Sequence, residues 1–128
     1  MSTATAGVAP RPAWMPDLDA ARLADGRIAD VGCGDGRSSI AIALAYPDAL
    51  VDAVDADERA IAAARDNARA AGVTGRVAFR HTDVAKLRVG DLPRYDLVIT
   101  SARLRDAAAR LARGDGDLVV RDDGAARP

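Results

Sequence analysis

Aromatic side chains are nearly missing from this 128-residue chain: one Trp, one Phe and two Tyr amount to 3% of it. A core without them must be assembled from Val, Leu, Ile and the abundant Ala. Such side chains bury little area each, so the core is expected to be thin and its stability modest. Cysteine occurs once, as Cys33, which excludes an internal disulfide and fits a reducing, cytoplasmic setting. Histidine also occurs once, as His81. One Cys and one His without close-spaced partners make no metal-ligand cluster. No apolar run reaches the roughly 18 to 20 residues that cross a bilayer, so no membrane partner is expected. The start, Met1-Ser2-Thr3-Ala4-Thr5-Ala6, lacks the basic stretch and apolar core of a signal peptide. Charge of one sign is also lacking. The net charge is -1, Lys86 is the single lysine, and the arginines alternate with aspartates. No nucleic-acid partner is indicated by that balance.

What is present is a regular alternation of strands and helices. Residues 1–16, broken by Pro10, Pro12 and Pro16, read as a flexible lead in which Trp14 packs on the domain edge or lids a ligand. Asp17 can cap a short helix over 18–24, closed by Gly26. Arg27 to Gly32 is a strand, followed by a tight glycine turn over 32–36. A helix over 38–46 presents Ile40 and Leu44 on one face, and Pro47 stops it. Leu50 to Val54 is a second strand ending at Asp55. Asp57 caps a helix to Ala71 with the apolar stripe Ile61, Ala64, Ala68 and Ala71, and Gly72 is its C-cap. Strands over 76–81, 95–100 and 117–120 follow, with a loop and helical turn at 83–92 and a helix over 103–113. That helix turns Leu104, Ala107, Ala108 and Leu111 inward and leaves Arg103, Arg105, Arg110 and Arg113 as a solvated face. The expected fold is an α/β, Rossmann-like, doubly wound parallel sheet of about five strands in the order 3-2-1-4-5, with helices on both faces. Residues 17–121 form the domain and 122–128 a polar tail.

The turn after the first strand is the clearest candidate site, because ligands of a doubly wound sheet sit beyond the carboxyl ends of its strands. Gly32 and Gly34 fit the dinucleotide fingerprint, but the third glycine, Gly36, comes one residue early, and Arg37-Ser38 is not the Lys-Ser/Thr of a phosphate loop. Asp30 and Asp35 flank the turn and oppose a pyrophosphate, whereas they suit a ligand bearing an amine or another cation. Asp55 ends the second strand about twenty residues on, where an acid takes ribose hydroxyls. Asp83 follows the third strand and can face a nucleobase edge. Together these describe a pocket for a ribose and a base with a cationic remainder.

At these residues the chain resembles the class I S-adenosylmethionine-dependent methyltransferases. Ile28-Ala29-Asp30-Val31-Gly32-Cys33-Gly34-Asp35-Gly36-Arg37-Ser38-Ser39 resembles their first motif, and Val54-Asp55-Ala56-Asp57 their acidic second-strand end. Residues Arg76 to Val84 resemble the third motif and Tyr95 to Thr100 the fourth strand. The resemblance implies S-adenosyl-L-methionine as cofactor, held by Asp30, Gly32, Cys33, Gly34, Gly36, Asp55, Ala56, Asp83, Val84 and Thr100. Within that set, Asp30 and the glycines take the methionine end, Asp55 the ribose, and Asp83 with Val84 the adenine.

The family sheet usually has seven strands, and the chain ends soon after the fifth, so it reads as truncated there. The fifth strand is then an edge that can pair with a second copy. The stretch from Ser101 to Asp106 carries no evident general base, and no catalytic residue is assigned. Displacement at a sulfonium methyl draws much of its rate from alignment, so a base is needed only where the acceptor must lose a proton early. The expected function is methyl transfer to an unidentified acceptor, with a small molecule expected. The alternatives are a cofactor-binding domain without turnover and a structural or dimerisation module. Cys33 reads as a small residue in a tight space and His81 as a structural residue at a strand end.

Overall fold

Why the chain makes a parallel sheet is visible in its central strands, which are buried on both faces. A computed structural model describes residues 9–15, 23, 25–114 and 116–121. The strands are β1 (Arg27–Val31), β2 (Leu50–Asp55), β3 (Val77–His81), β4 (Leu97–Thr100) and β5 (Asp117–Val120). They pair in parallel, as the alternation predicts, and in the expected order β3-β2-β1-β4-β5. Residues 28–31 and 97–100 are all buried, the mark of strands covered on both faces. The chain moves outward from β1 through β2 to β3, then returns to place β4 on the other side of β1. The direction of winding therefore reverses between β1 and β4.

Side-chain alternation divides the core in two. Ile28, Val51, Ala53, Val77, Phe79, Leu97 and Ile99 point to one face and meet the helices α1 (Arg37–Ala45) and α2 (Glu58–Ala71). Ala29, Val31, Val54 and Val98 point to the other, where they meet Val84, Leu87, Tyr95, Ala108 and Leu111. Phe79 is the one phenylalanine of the chain, and small residues complete both layers.

The N-cap of α2 is Asp57, which accepts hydrogen bonds from the backbone N–H of Arg59 at 2.9 Å and of Ala60 at 3.4 Å. Gly72 closes the helix in the left-handed conformation, φ 74°. Ile61, Ala64 and Ala68 are its buried stripe, while Ala71, expected to extend that stripe, is exposed. In α1 the buried residues are Ser39, Ile42 and Ala43, and Ile40 and Leu44 are half-buried at the core edge. The expected Ile40–Leu44 face is displaced because Ser39 must reach a carboxylate on β1.

The helix expected over 103–113 is shorter. A 3-10 turn, Ala102–Leu104, leads into α3 (Arg105–Ala109). Arg110 is exposed as expected and Arg113 is half-buried, but both guanidinium groups are tied to the protein. Arg110 donates to the carbonyls of Val84 at 3.3 Å and Leu87 at 2.7 Å, and Arg113 to that of Leu92 at 3.2 Å. They latch the 84–92 loop, which contains two 3-10 turns, Val84–Lys86 and Val89–Asp91, over the second core layer. Arg103 and Arg105 are exposed.

The N-terminal lead also differs from expectation where it is described. Met15 is 1% exposed within the first core layer, Trp14 packs against that layer, and the Ala9 N–H donates to Leu44 O at 3.2 Å. The packed unit therefore takes in residues 9–15. The helix expected over 18–24 and the tail over 122–128 lie outside the described residues, apart from Leu23. Among the described residues no helix is long and apolar enough to cross a membrane.

Removal of the α2 cap tests this account of the first layer. Asp57→Ala is expected to cost about 1 kcal/mol of stability, read from the shift in urea midpoint at constant m. An unchanged midpoint would mean the cap contributes nothing.

Candidate functional site

The site grows from the end of β1. Gly32, Gly34 and Gly36 all have positive φ, at 74°, 58° and 86°, so the backbone between strand and helix curls through conformations that side chains resist. Gly36 has a second requirement: a Cβ there would lie 2.9 Å from Phe79 Cζ and 3.0 Å from Ala64 Cβ. It lets α1 start directly against α2 and β3. The N–H groups of Gly32 and Cys33 both donate to Val54 O, at 2.8 and 3.0 Å, which fastens the turn to β2.

Asp55, at the end of β2, completes the anchorage. Its Oδ2 accepts the Gly34 N–H and its Oδ1 the Asp57 N–H, each at 2.8 Å. Asp55 is half-buried, and each carboxylate oxygen keeps a further acceptor direction. Asp83 caps the 3-10 turn after β3 by accepting from the Ala85 N–H at 2.9 Å, and Val84 beside it is buried. His81 bonds Ala56 O through Nε2 at 3.0 Å, which ties the end of β3 to the loop after β2. A cleft of about 200 Å³ opens among Gly32, Asp55, Ala56, Asp83, Val84, Ser101 and Leu104. Arg103 and Thr82 stand at its rim.

A second cleft, of about 390 Å³, lies on the other side of the turn. Gly32, Cys33, Gly34, Asp35, Arg37, Ser38, Trp14 and Arg121 line it. The ten residues predicted for cofactor contact thus fall into four groups. Asp55, Ala56, Asp83 and Val84 line the smaller cleft, Cys33 and Gly34 the larger, and Gly32 both. Asp30, Gly36 and Thr100 line neither. Thr100 is buried and its hydroxyl donates to Ser101 O at 2.9 Å, while Gly36 packs inward.

Asp30 is the sharpest departure from expectation. It has no exposed surface, and internal donors meet its carboxylate. The hydroxyls of Ser38 and Ser39 donate to Oδ2, each at 2.6 Å. The guanidinium of Arg121, itself 7% exposed, forms an ion pair with Oδ1. The same guanidinium donates to Gly32 O at 2.7 Å and Val31 O at 3.3 Å. Asp30 is therefore a buried charge with its own cation, and its carboxylate does not face solvent. Arg121 carried no role in the sequence reading. The available signal was indirect: an acid in the middle of a core strand needs a partner.

Cys33 is held as expected of a small residue in a tight space. Its thiol is buried, which pushes its pKa well above the ordinary range, and the charges of Asp30 and Asp55 act in the same direction. It stays protonated and serves as no nucleophile at neutral pH. Among the described residues no group of three His, Cys, Asp or Glu is placed to hold a metal ion.

Two outcomes follow from these contacts. Arg121→Met leaves the Asp30 charge buried and unpaired, at an expected cost of about 3–5 kcal/mol in urea unfolding. Adding Asp30→Asn should cost less than the sum of the two single changes, and strict additivity would deny the coupling. The Cys33 thiol should react with a disulfide reagent at pH 8 only as fast as the chain opens. Labelling of the folded chain at the rate of the urea-unfolded chain would contradict its burial.

Comparison with known proteins agrees with this architecture. The methyltransferase domain family matches residues 28–114, more than half of the chain. Ribosomal RNA large subunit methyltransferase G of Streptomyces coelicolor is 42% identical over 109 residues, covering 73% of this chain and 28% of that protein. The tRNA1(Val) (adenine(37)-N6)-methyltransferase of Pedobacter heparinus is 37% identical over 76 residues, covering 58% of this chain and 31% of that protein. The chain thus spans less than a third of the length of these curated relatives. A crystal structure of a SAM-dependent methyltransferase from Thiobacillus denitrificans, in complex with S-adenosyl-L-homocysteine, shares the fold with a TM-score of 0.63. It is 23% identical, and the match covers 76% of this chain and 43% of that one. With the glycine turn, the acid at the end of β2 and the 3-2-1-4-5 sheet in place, the chain belongs to the methyltransferase domain family, whose fold is that of the class I S-adenosylmethionine-dependent methyltransferases.

Proposed function

We propose that this domain binds S-adenosyl-L-methionine at the carboxyl ends of β1, β2 and β3 and serves methyl transfer to an acceptor in RNA. The observation that carries the cofactor reading is the half-buried Asp55 carboxylate. It is held rigid by two backbone N–H groups, at 2.8 Å each, on the wall of a cleft beside the glycine turn. A carboxylate so oriented accepts hydrogen bonds from the two vicinal hydroxyls of a ribose without ordering itself first. Val84 offers an apolar contact and Asp83 an acceptor to the adenine beyond it. Cys33 and Gly34 face the larger cleft, toward which the amino-acid end extends. Asp30, which supports the turn from beneath, is assigned with the glycines to the methionine end.

When bound, the cofactor supplies an electrophilic methyl group on a sulfonium. The chain's own part is to hold the nucleoside, fix the direction of the methyl group and keep the turn from yielding. Ser101 and Leu104 border the nucleoside cleft and Arg103 its rim, so the acceptor approaches across the start of the segment after β4. The expectation of a small-molecule acceptor gives way here to RNA, because curated relatives are named for ribosomal RNA and tRNA. The exposed cations Arg103 and Arg105 are suited to phosphate contact, though the chain as a whole has no basic excess.

Calorimetry tests the cofactor reading. S-adenosylhomocysteine should bind and NAD should not. Asp55→Ala should weaken the binding by about ten- to a hundred-fold, the worth of hydrogen bonds to a charged group. Equal affinity in the variant would sink the ribose assignment. Incubation of the chain with methyl-labelled cofactor and total RNA should transfer label to RNA. Transfer to a small-molecule extract alone would overturn the RNA acceptor and leave the cofactor reading intact.

A further inference from the structure

Arg121 sits where the proposed ligand's own cation belongs. It follows β5, and its backbone N–H donates to Thr100 O at 2.7 Å, so the strand order carries it to the top of β4 beside β1. From there its side chain crosses to the glycine turn and lines the larger cleft. The crevice between β1 and β4 is where the winding reverses, the natural ligand position of such a sheet. The guanidinium takes three acceptors there: Asp30 Oδ1, Gly32 O and Val31 O. The second oxygen of Asp30 already receives two serine hydroxyls. The carboxylate that does line that cleft, Asp35, pairs with Arg37 at 3.0 Å.

An amino-acid ammonium has three donors and no acceptor. Arg121 stands between this cleft and the buried Asp30, so an ammonium that seats on the Asp30 and Gly32 oxygens takes acceptors that Arg121 holds. Two cations cannot share them, because like charges a few ångströms apart repel. Exchange of one cation for the other keeps Asp30 neutralised, so the swap avoids the cost of a bare buried carboxylate. We infer that Arg121 is a built-in cationic plug of the amino-acid subsite, which the ligand's ammonium must displace, while the nucleoside half binds without disturbing it. The inference rests on the cofactor reading above. It makes Arg121 a selectivity element: full-length ligands bind below their intrinsic affinity and adenosine-like fragments do not. If the plug is seated nine-tenths of the time or more, apparent affinity for the full ligand falls about tenfold or more.

The experiment compares S-adenosylhomocysteine with 5′-methylthioadenosine, which keeps the nucleoside and lacks the amino acid. Both are titrated calorimetrically into the full chain, as wild type, Arg121→Met and Arg121→Lys. The expected result is a rise of about tenfold or more in the ratio of S-adenosylhomocysteine to methylthioadenosine affinity in Arg121→Met. A smaller rise is expected in Arg121→Lys, which keeps the charge and loses the fork. Unchanged methylthioadenosine binding reports that the variant is folded. A fall in the ratio would mean that Arg121 grips the ligand's carboxylate, and an unchanged ratio that it is a bystander; either overturns the plug while the cofactor reading stands. Failure of both ligands to bind folded wild-type chain would overturn the cofactor reading itself, and the plug with it. A second measurement needs no variant. The hindered-rotation guanidinium nitrogen signals of Arg121 should vanish when S-adenosylhomocysteine saturates the wild-type chain and persist with methylthioadenosine. Persistence in both complexes would overturn the displacement.

Discussion

A carboxylate with no exposed surface, on the central strand of the sheet, is the constraint around which the rest is arranged. Removing an ion from water costs several kcal/mol even after relaxation, and Asp30 recovers that through donors from two distant stretches of chain. Ser38 and Ser39 bring the first turn of α1 down onto β1. Arg121 brings the end of β5 across β4 to the same point. The face that α1 buries is set by this need: Ser39 takes a core position that an apolar residue would otherwise hold. Asp30 thus locks helix, central strand and fifth strand into one arrangement at the carboxyl end of the sheet.

Under the proposed function, rigidity there has a chemical use. The three left-handed glycines give the turn its curl, but glycine alone would leave it free to wander. Val54 O, Asp55 and the Asp30 cluster hold it from three sides. A displacement reaction that relies on alignment needs its substrate held by groups that do not have to reorganise. The opposite end of the sheet has a separate polar cluster, in which Asp52 accepts from the Tyr95 hydroxyl at 2.9 Å and from Arg27 Nε at 3.1 Å. It lies beyond reach of the turn and closes the second core layer where the sheet begins.

The parts of the molecule that could be read from the residues are those fixed by neighbours in the chain. Strand alternation, the Asp57 and Gly72 caps and the glycine spacing are local, and they mark the parallel sheet and the acid at the end of β2. The parts that could not be read depend on pairs far apart. Asp30 and Arg121 are separated by 91 positions, and nothing adjacent to either announces the pairing. The phase of α1 followed from that same buried acid, so an apolar count placed Ile40 and Leu44 inward when Ser39 goes there. The bonds that tie Arg110 and Arg113 to the 84–92 loop fall on backbone carbonyls, which leave no trace in sequence. Met15 was lost to the proline-rich context around it, although it is among the most deeply buried side chains.

In the proposed function the cofactor binds in the crevice at the carboxyl ends of β1 and β2. An amide correlation spectrum of the nitrogen-labelled chain, titrated with S-adenosylhomocysteine, tests that most directly. The account predicts that the largest shifts fall on Gly34, Asp55, Ala56 and Val84, with little change at Arg27, Asp52 and Tyr95. Shifts gathered at that far end of the sheet, or a folded chain whose spectrum does not respond, would contradict it.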